Sequence, residues 1–394
     1  MAKYSNIQNM VLDGKEMKDL YIIFDQLPLK AHGGLVATYA RLVEELGDIY
    51  SIKIVNIFAG EKNDIEEFDS IPIMDVCPVK IDNRFYKMPA LLAQGKIKEA
   101  LWAFLSAIIF LATMPIARII TSRKLGQEMV IASSPAAAMF LGKKVHYLLE
   151  VHTNFEYFWG DSFIGKAQSH AINEPVLTIF RNKADANKGS ALFPSTYIYN
   201  SFDSNAASHA KLNEQRRPHS AIYVGRLEPV KNLGALLDCA EIVLERIPDF
   251  TLDIFGVGSL EKQLSEEISR RGLSNSVSMK GFTSDKNVYS RYSVFWLAST
   301  NEGFGLVLAE AMANKTPVIT TKWGEAVSEI VSHGKTGYIA HSAEEFASYS
   351  IRLLEDESLR DEMGARGQAD VIKRFSKEQN RLRWLEILKD AYPL

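Results

Sequence analysis

Short apolar runs recur along this chain, each closed by a glycine-containing or polar turn and followed by a stretch with helical period. In the first half they are Tyr21-Ile-Ile-Phe24, Ile52-Lys-Ile-Val-Asn-Ile-Phe58, Glu128-Met-Val-Ile-Ala132 and Val145-His-Tyr-Leu-Leu-Glu150. In the second half they are Ala221-Ile-Tyr-Val-Gly225, Thr251-Leu-Asp-Ile-Phe255, Val277-Ser-Met-Lys-Gly-Phe282, Val294-Phe-Trp-Leu-Ala298, Pro317-Val-Ile-Thr320 and the turn and strand from Gly334 to Ala340. Runs without a polar face predict strands of buried parallel sheets. Between them lie amphipathic stretches, such as the one with Leu35, Val36, Tyr39, Leu42, Val43 and Leu46 on one side. Strands alternating with helices predict an α/β fold. The pattern lapses in the polar stretch Asn182–Ser190 and again in the charged stretch Lys211–Ser220. The boundary of two domains is therefore expected between about Tyr199 and Ser220 and set at residues 1–200 and 201–376, with a last amphipathic helix from Lys377.

A chain of 394 residues exceeds one ordinary core and suits two such domains. The net charge of -3 gives no reason to expect nucleic acid as a partner. Cys77 and Cys239 have neither metal nor disulfide spacing, and the first residues lack the apolar core of a signal peptide. Together these place the expected setting in the cytoplasm.

One stretch breaks with this soluble character. Leu101–Ala117 carries no charge and is flanked by Lys96, Lys98, Arg118, Arg123 and Lys124. It reads as a buried domain helix, as a helix in a membrane interface with its basic flanks on anionic lipid, or as a membrane span. The second reading would put the protein peripherally on the inner face of the cell membrane.

The most informative stretch is Thr300-Asn-Glu-Gly-Phe-Gly-Leu-Val-Leu-Ala-Glu-Ala-Met312. Gly303 and Gly305 bracket a tight turn after an apolar strand, and strong helix formers follow from Leu306. A helix start in that position presents free N–H groups and partial positive charge, which suits phosphate. Glu302 and Glu310, eight residues apart, are placed to accept hydrogen bonds from hydroxyls of one long ligand. Phosphate in the middle and hydroxyls at both ends describe a nucleotide sugar.

Other candidates sit at strand ends, where open α/β sheets bind ligands. Arg226 and Lys231 follow the strand ending at Gly225, and two fixed cations there would neutralise a diphosphate; elsewhere such residues are solvated surface charges. Asn232 is expected to cap the helix from Leu233. The end of the strand at Gly281 and Phe282 has backbone groups to cup a base. His152 lies just past the strand ending at Glu150, either as a structural loop histidine or as a sugar contact. Gly33-Gly34 forms either a simple turn or a phosphate-facing loop. The lone Gly256-Val-Gly258 lacks a third glycine and a distal acid, so it is weak evidence for a dinucleotide.

The order and spacing of Gly225-Arg-Leu-Glu-Pro-Val-Lys-Asn232, Phe255-Gly-Val-Gly258, Lys280-Gly-Phe282, Glu302–Glu310, Pro317-Val-Ile319 and Gly334-Lys-Thr-Gly337 resemble retaining glycosyltransferases of the GT-B fold, the group that includes glycogen synthases and sucrose-phosphate synthases. The resemblance covers Ala221 to Ala340 closely and the N-terminal half loosely, through Gly33-Gly34 and His152. It implies two Rossmann-like domains facing across a cleft, with the C-terminal helix 377–394 crossing back to the first. It implies that Arg226 and Lys231 hold the donor diphosphate and that Glu302 faces the donor sugar. The backbone of Gly303, Phe304, Gly305 and Leu306 would run along sugar and phosphates, and Glu310 would bind the ribose. Gly33 and Gly34 would lie near the diphosphate and His152 near the reacting sugar. The anomeric configuration would be retained.

No Asp-x-Asp pair stands at a strand end, so neither a metal nor a further cofactor is expected. The expected partners are a nucleotide sugar, by family habit uridine-linked, and a glycan, lipid-linked or other cell-surface polysaccharide acceptor. The chain departs from the family after Pro317-Val-Ile319, where Thr320-Thr-Lys-Trp-Gly-Glu325 replaces a glycine-rich segment. Two alternatives keep the fold: an epimerase-like enzyme acting on the nucleotide sugar alone, and a non-catalytic subunit, which would not need the site residues this chain has kept.

Overall fold

A computed structural model describes residues 17–26, 34–58, 68, 70–77, 91–92, 95–152, 155–159, 169–202 and 216–393. The chain forms two compact units. The first comprises Met1–Phe180, Ala186–Ile198 and Arg381–Leu394, and the second Arg181–Asp185 and Tyr199–Asn380.

The first unit is built on seven parallel strands: β1 (Lys18–Gln26), β2 (Tyr50–Phe58), β3 (Ile73–Cys77), β4 (Met129–Ala132), β5 (Leu148–Val151), β6 (Leu177–Phe180) and β7 (Ser195–Tyr197). Their order is β3-β2-β1-β4-β5-β6-β7. Alternation along β1 sends Leu20, Ile22 and Phe24 to one face and Ile23 to the other, and both faces are covered by apolar side chains. Helix α1 (Gly34–Leu46) brings Val36, Tyr39, Leu42 and Leu46 to the first of these faces. The expected last helix is present as Lys377–Ala391, and its Trp384, Leu385, Ile387 and Leu388 complete the same core. Arg381 fixes its entry by donating to the Glu45 carbonyl (2.8 Å) and Asp48 (2.7 Å).

Helix α2 (Ile97–Leu125) is longer than its uncharged centre and continues through Pro115. Its inward face is mostly small: Ala100, Ala103, Ser106, Ala117 and Thr121 are buried, with Phe110 and Leu125. Its outward face carries large apolar residues, with Leu101 66% and Leu111 61% exposed. The buried-helix reading therefore describes one face only.

The second unit has six parallel strands, β8 (Arg217–Val224), β9 (Thr251–Phe255), β10 (Val277–Gly281), β11 (Tyr292–Leu297), β12 (Val318–Thr321) and β13 (Gly337–Ala340). Their order, β10-β9-β8-β11-β12-β13, repeats that of the first six strands of the first unit. Helix α3 (Lys183–Gly189) starts within the second unit, where Glu329 accepts from the N–H groups of Lys183 and Ala184 (both 2.8 Å) and neutralises its N-terminus. Helix α4 (Leu233–Arg246) has the expected span, but Asn232 does not cap it with its side chain. Asn232 takes a left-handed conformation (φ 49°) after a 3-10 turn at Pro229–Lys231, a role open to asparagine because its short polar side chain tolerates that region.

Gly256 and Gly258 have a structural job. A Cβ on Gly256 (φ 150°) would lie 1.8 Å from the Gly225 carbonyl oxygen, and one on Gly258 2.4 Å from that of Leu227. The loops after β8 and β9 thus meet backbone to backbone, stitched by Gly225 N–H to Phe255 O (3.0 Å) and Leu227 N–H to Val257 O (2.9 Å). Gly256→Ala is expected to cost roughly 3 kcal/mol, lowering the unit's Tm by about 6–10 °C. Gly234→Ala, a helical site with open space, should leave the Tm unchanged or raise it slightly. Equal melting of the two variants in scanning calorimetry would contradict this close approach.

Candidate functional site

In the second sheet the strand order reverses between β8 and β11, which lie side by side at its centre. Connections from these two strands leave in opposite directions, so a crevice opens at their carboxyl ends. The segments that emerge there are Gly225–Asn232 and Ala298–Gly305. They are tied together by Thr300, whose N–H and hydroxyl both donate to the Val230 carbonyl (2.9 and 3.2 Å).

Within this frame Lys231 Nζ donates to Glu302 Oε1 at 2.5 Å, with both side chains nearly buried. Ser299 Oγ reaches the same oxygen at 2.7 Å, and Thr321 holds the Ser299 carbonyl at 2.8 Å. Both donors use Oε1, and among the described residues none reaches Oε2. Lys231 and Glu302 are thus a unit rather than two independent groups. An ammonium has three donors, so Lys231 retains capacity for a second anion. Arg226 is exposed, and its guanidinium has no hydrogen bond or ion pair among the described residues. Its carbonyl is held by the buried Tyr223 hydroxyl at 2.9 Å. Burial pushes the Tyr223 phenol up, and the nearby Glu302 charge adds to this, so it stays a neutral donor.

The glycine turn is anchored from beneath. Asn182, buried at the start of α3, donates to the Gly303 carbonyl at 3.0 Å and to Asp185 at 2.7 Å. Phe304 is 3% exposed and packs against Tyr199 and Phe375. Only its backbone is therefore available to a ligand. Gly305 takes φ 74°, a conformation glycine adopts freely, and helix α5 (Leu306–Ala313) starts from it. The first N–H groups of α5 have no acceptor within the helix. On that helix Glu310 accepts from Tyr289 Oη at 2.9 Å. Burial drives the Tyr289 phenol well above its ordinary value, followed by the Glu310 charge, so Tyr289 remains a donor. Gly281 has φ 69° and accepts from the Gly256 N–H at 2.8 Å, and Phe282 beside it is 76% exposed.

Comparison with known proteins gives this crevice a context. Residues 204–370 match the family described as Glycosyl transferases group 1. This match lies within the second unit. The chain is similar to the poly(glycerol-phosphate) alpha-glucosyltransferase of Bacillus subtilis (strain 168), 34% identical over 38% of this chain and 23% of that protein. It is also similar to the poly(ribitol-phosphate) alpha-N-acetylglucosaminyltransferase of Staphylococcus aureus (strain COL), 26% identical over 42% of this chain and 34% of that one. The chain thus matches only about a quarter to a third of the length of these curated relatives. In fold it is similar to Anabaena Alr3699/HepE in complex with UDP and glucose, with TM-score 0.71 and 20% identity over 95% of this chain and 100% of that one. Two Rossmann-like α/β units are the architecture of the whole chain.

In the second unit the segment after Ile319 has a visible consequence. Trp323, 7% exposed, backs the glycine turn, with ring carbon Cζ2 3.4 Å from where a Gly305 Cβ would stand. Its Nε1–H is shut from solvent and has no acceptor among the described residues.

The first unit holds a polar cluster of its own. Gly33 lies outside the described residues, and Gly34 is the first residue of α1. His152 follows β5, and its Nε2 is 2.9 Å from Tyr39 Oη and 3.6 Å from Glu150 Oε2. Tyr39 donates to Glu150 at 2.5 Å, and both are fully buried. Of the residues in these contacts, the sequence singled out His152 as a candidate but not Tyr39, Glu150, Asn182, Ser299 or Tyr289. Glu150 did carry a signal: a carboxylate closing an apolar run is costly to bury unless it has work to do.

Proposed function

We propose that the chain is a retaining glycosyltransferase that moves a sugar from a uridine-diphosphate donor to a glycan, lipid-linked or polyol-phosphate acceptor without a metal. The arrangement that carries this reading is the crevice at the β8–β11 switch point. There Arg226, unpartnered among the described residues, the Lys231–Glu302 pair and the N-terminus of α5 come together. Departure of a nucleoside diphosphate builds negative charge, and two cations with a helix N-terminus meet it in advance. Glu302, held through Oε1, keeps Oε2 for the donor sugar. Glu310 takes the ribose, and the backbone at Gly281 and Phe282 takes the base.

In the reaction the bond from the anomeric carbon to the β-phosphate oxygen breaks, and the acceptor oxygen bonds on the same face. The acceptor's proton passes to the departing phosphate, so charge and atoms balance without a protein base. His152, oriented by Tyr39 and Glu150, binds a sugar hydroxyl. The relatives named for glucose or N-acetylglucosamine transfer to poly(glycerol-phosphate) and poly(ribitol-phosphate) support the acceptor class. The UDP in the HepE complex supports uridine.

The test is a thermal-shift series with UDP, GDP and ADP. A ligand at 100 times its Kd adds about 2.7 kcal/mol to native stability, so UDP should raise the Tm by about 5 °C or more. Arg226→Ala should weaken UDP about tenfold or more, the scale of one charged hydrogen bond. An unchanged response to UDP in Arg226→Ala would remove that residue from the site. Transfer that survives EDTA supports the metal-free reading, and loss in EDTA restored by a divalent cation overturns it.

A further inference from the structure

Helix α2 is turned inside out for a soluble unit. The side chains facing the unit's own core are mostly alanine, serine and threonine, while Leu101, Phe104, Ile108, Leu111, Ile116 and Ile119 stand about half or more exposed. These six recur at steps of three to five residues, so they form one stripe along the helix. The most apolar 18-residue window has a mean hydropathy of 2.1, of which 28% is buried. Such a continuous apolar surface on a soluble protein marks an interaction site.

Charge decides the occupant. Lys96 and Lys98 stand exposed at the start of the helix, and Arg123 and Lys124 at its end. Lys143 and Lys144, also exposed, adjoin that end, since the Lys144 carbonyl lies 3.8 Å from the Cβ position of Gly126. Against them stand only Glu99 and Glu128 nearby in sequence. A second copy of this chain, related by a two-fold axis, would set basic ends against basic ends. An anionic bilayer surface complements both ends at once. The inward face belongs to the first unit's core through Phe110, Ala117 and Leu125, so lipid cannot surround the helix as it surrounds a span.

The geometry points to α2 as an in-plane docking helix, seating the protein on an anionic bilayer with its apolar stripe at the boundary of headgroups and acyl chains. The leaflet meant is the inner face of the cell membrane, with the remaining surface in the cytoplasm. This docking does not depend on which substrates the chain uses.

The chain carries its own probe. Of five tryptophans, Trp102 alone is exposed, on the outer side of α2, while Trp159, Trp296, Trp323 and Trp384 are buried. With phosphatidylcholine vesicles containing about a third phosphatidylglycerol, emission should shift to the blue. Lipids with a shallow spin label should quench it more than lipids labelled deep in the chain. Binding in flotation should fall at least about tenfold on neutral vesicles or at high salt. The triple variant Leu101→Glu, Phe104→Glu, Ile108→Glu should no longer float, while its circular dichroism is retained. Should that variant not fold, quenching of Trp102 in the unaltered protein still decides. Unshifted, unquenched Trp102 with anionic vesicles overturns the proposal. So does stronger quenching by deep than by shallow labels. A concentration-dependent dimer that the triple variant disperses would assign the stripe to a second copy instead.

Discussion

Glu302→Gln is expected to slow sugar transfer by about 10²–10⁴-fold while leaving UDP affinity within roughly threefold. Glutamine matches glutamate in shape and keeps an oxygen for Lys231 and Ser299, which hold Oε1 at 2.5 and 2.7 Å. It removes the negative charge that, on this reading, Oε2 turns toward a sugar whose anomeric carbon becomes positive as the diphosphate leaves. Charge stabilisation needed only in the transition state appears in kcat, and uniform binding appears in KM. If Glu302 served only to position Lys231, losing the charge would disturb the diphosphate contact. UDP affinity and transfer would then fall together. Lys231→Ala supplies the comparison, because it removes one of the donors on Glu302 and, on the same reading, a diphosphate contact, so both measures should drop. Equal losses of affinity and rate in Glu302→Gln would refute the sugar-facing role.

That contrast was only half legible in the sequence. The strand, the glycine turn and the helix start at Leu306 could be read locally, because an apolar run, two glycines and a run of helix formers each report on their own neighbourhood. The pairing of Lys231 with Glu302 spans 71 positions, and the grip of Asn182 on Gly303 spans 121. No periodicity records contacts of that range. Phe304 shows the same limit: only its backbone was expected along the ligand, and the sequence did not show that its ring joins a cluster with Tyr199 and Phe375, two side chains distant in sequence.

The same division runs through the fold. Strands buried on both faces announced themselves, and β9 falls on the expected residues. Three strands escaped notice. Ile73–Cys77 is the edge strand of its sheet, with an aspartate and no fully buried residue, so it lacks the apolar signature. Leu177–Phe180 and Ser195–Tyr197 have four and three residues, too few for a period to show. They are strands because β5 and then β6 offer them a row of backbone partners. Helix α2 shows a limit of composition: an uncharged run fits core, interface and bilayer alike, and only the positions of its small and large residues around the helix separate them.

Glu150 is the residue whose replacement should most clearly separate structure from chemistry in the first unit. Its carboxyl is fully buried at the end of β5, takes the Tyr39 hydroxyl at 2.5 Å and lies 3.6 Å from His152 Nε2. Glu150→Ala removes the carboxylate that accepts from the buried Tyr39 hydroxyl and lies beside His152. Losing a buried hydrogen bond to a charged group costs about 1.5–3 kcal/mol, so a clear fall in the first unit's Tm is expected. Glu150→Gln keeps an acceptor for Tyr39 and nearly the same volume, so its stability loss should stay near 1 kcal/mol. Its amide can also donate where a carboxylate cannot, which disturbs the hydrogen bonding that orients the imidazole. If His152 contacts the transferred sugar, a small misplacement of its ring should lower transfer by about 10²-fold. Tyr39→Phe should move transfer in the same direction, since it removes the hydroxyl between the two groups. Normal transfer in a well-folded Glu150→Gln protein, beside a strongly destabilised Glu150→Ala, would show that the cluster only holds β5 and α1 together. A kinetic loss with the fold intact would make Glu150 and Tyr39 positioning residues for His152.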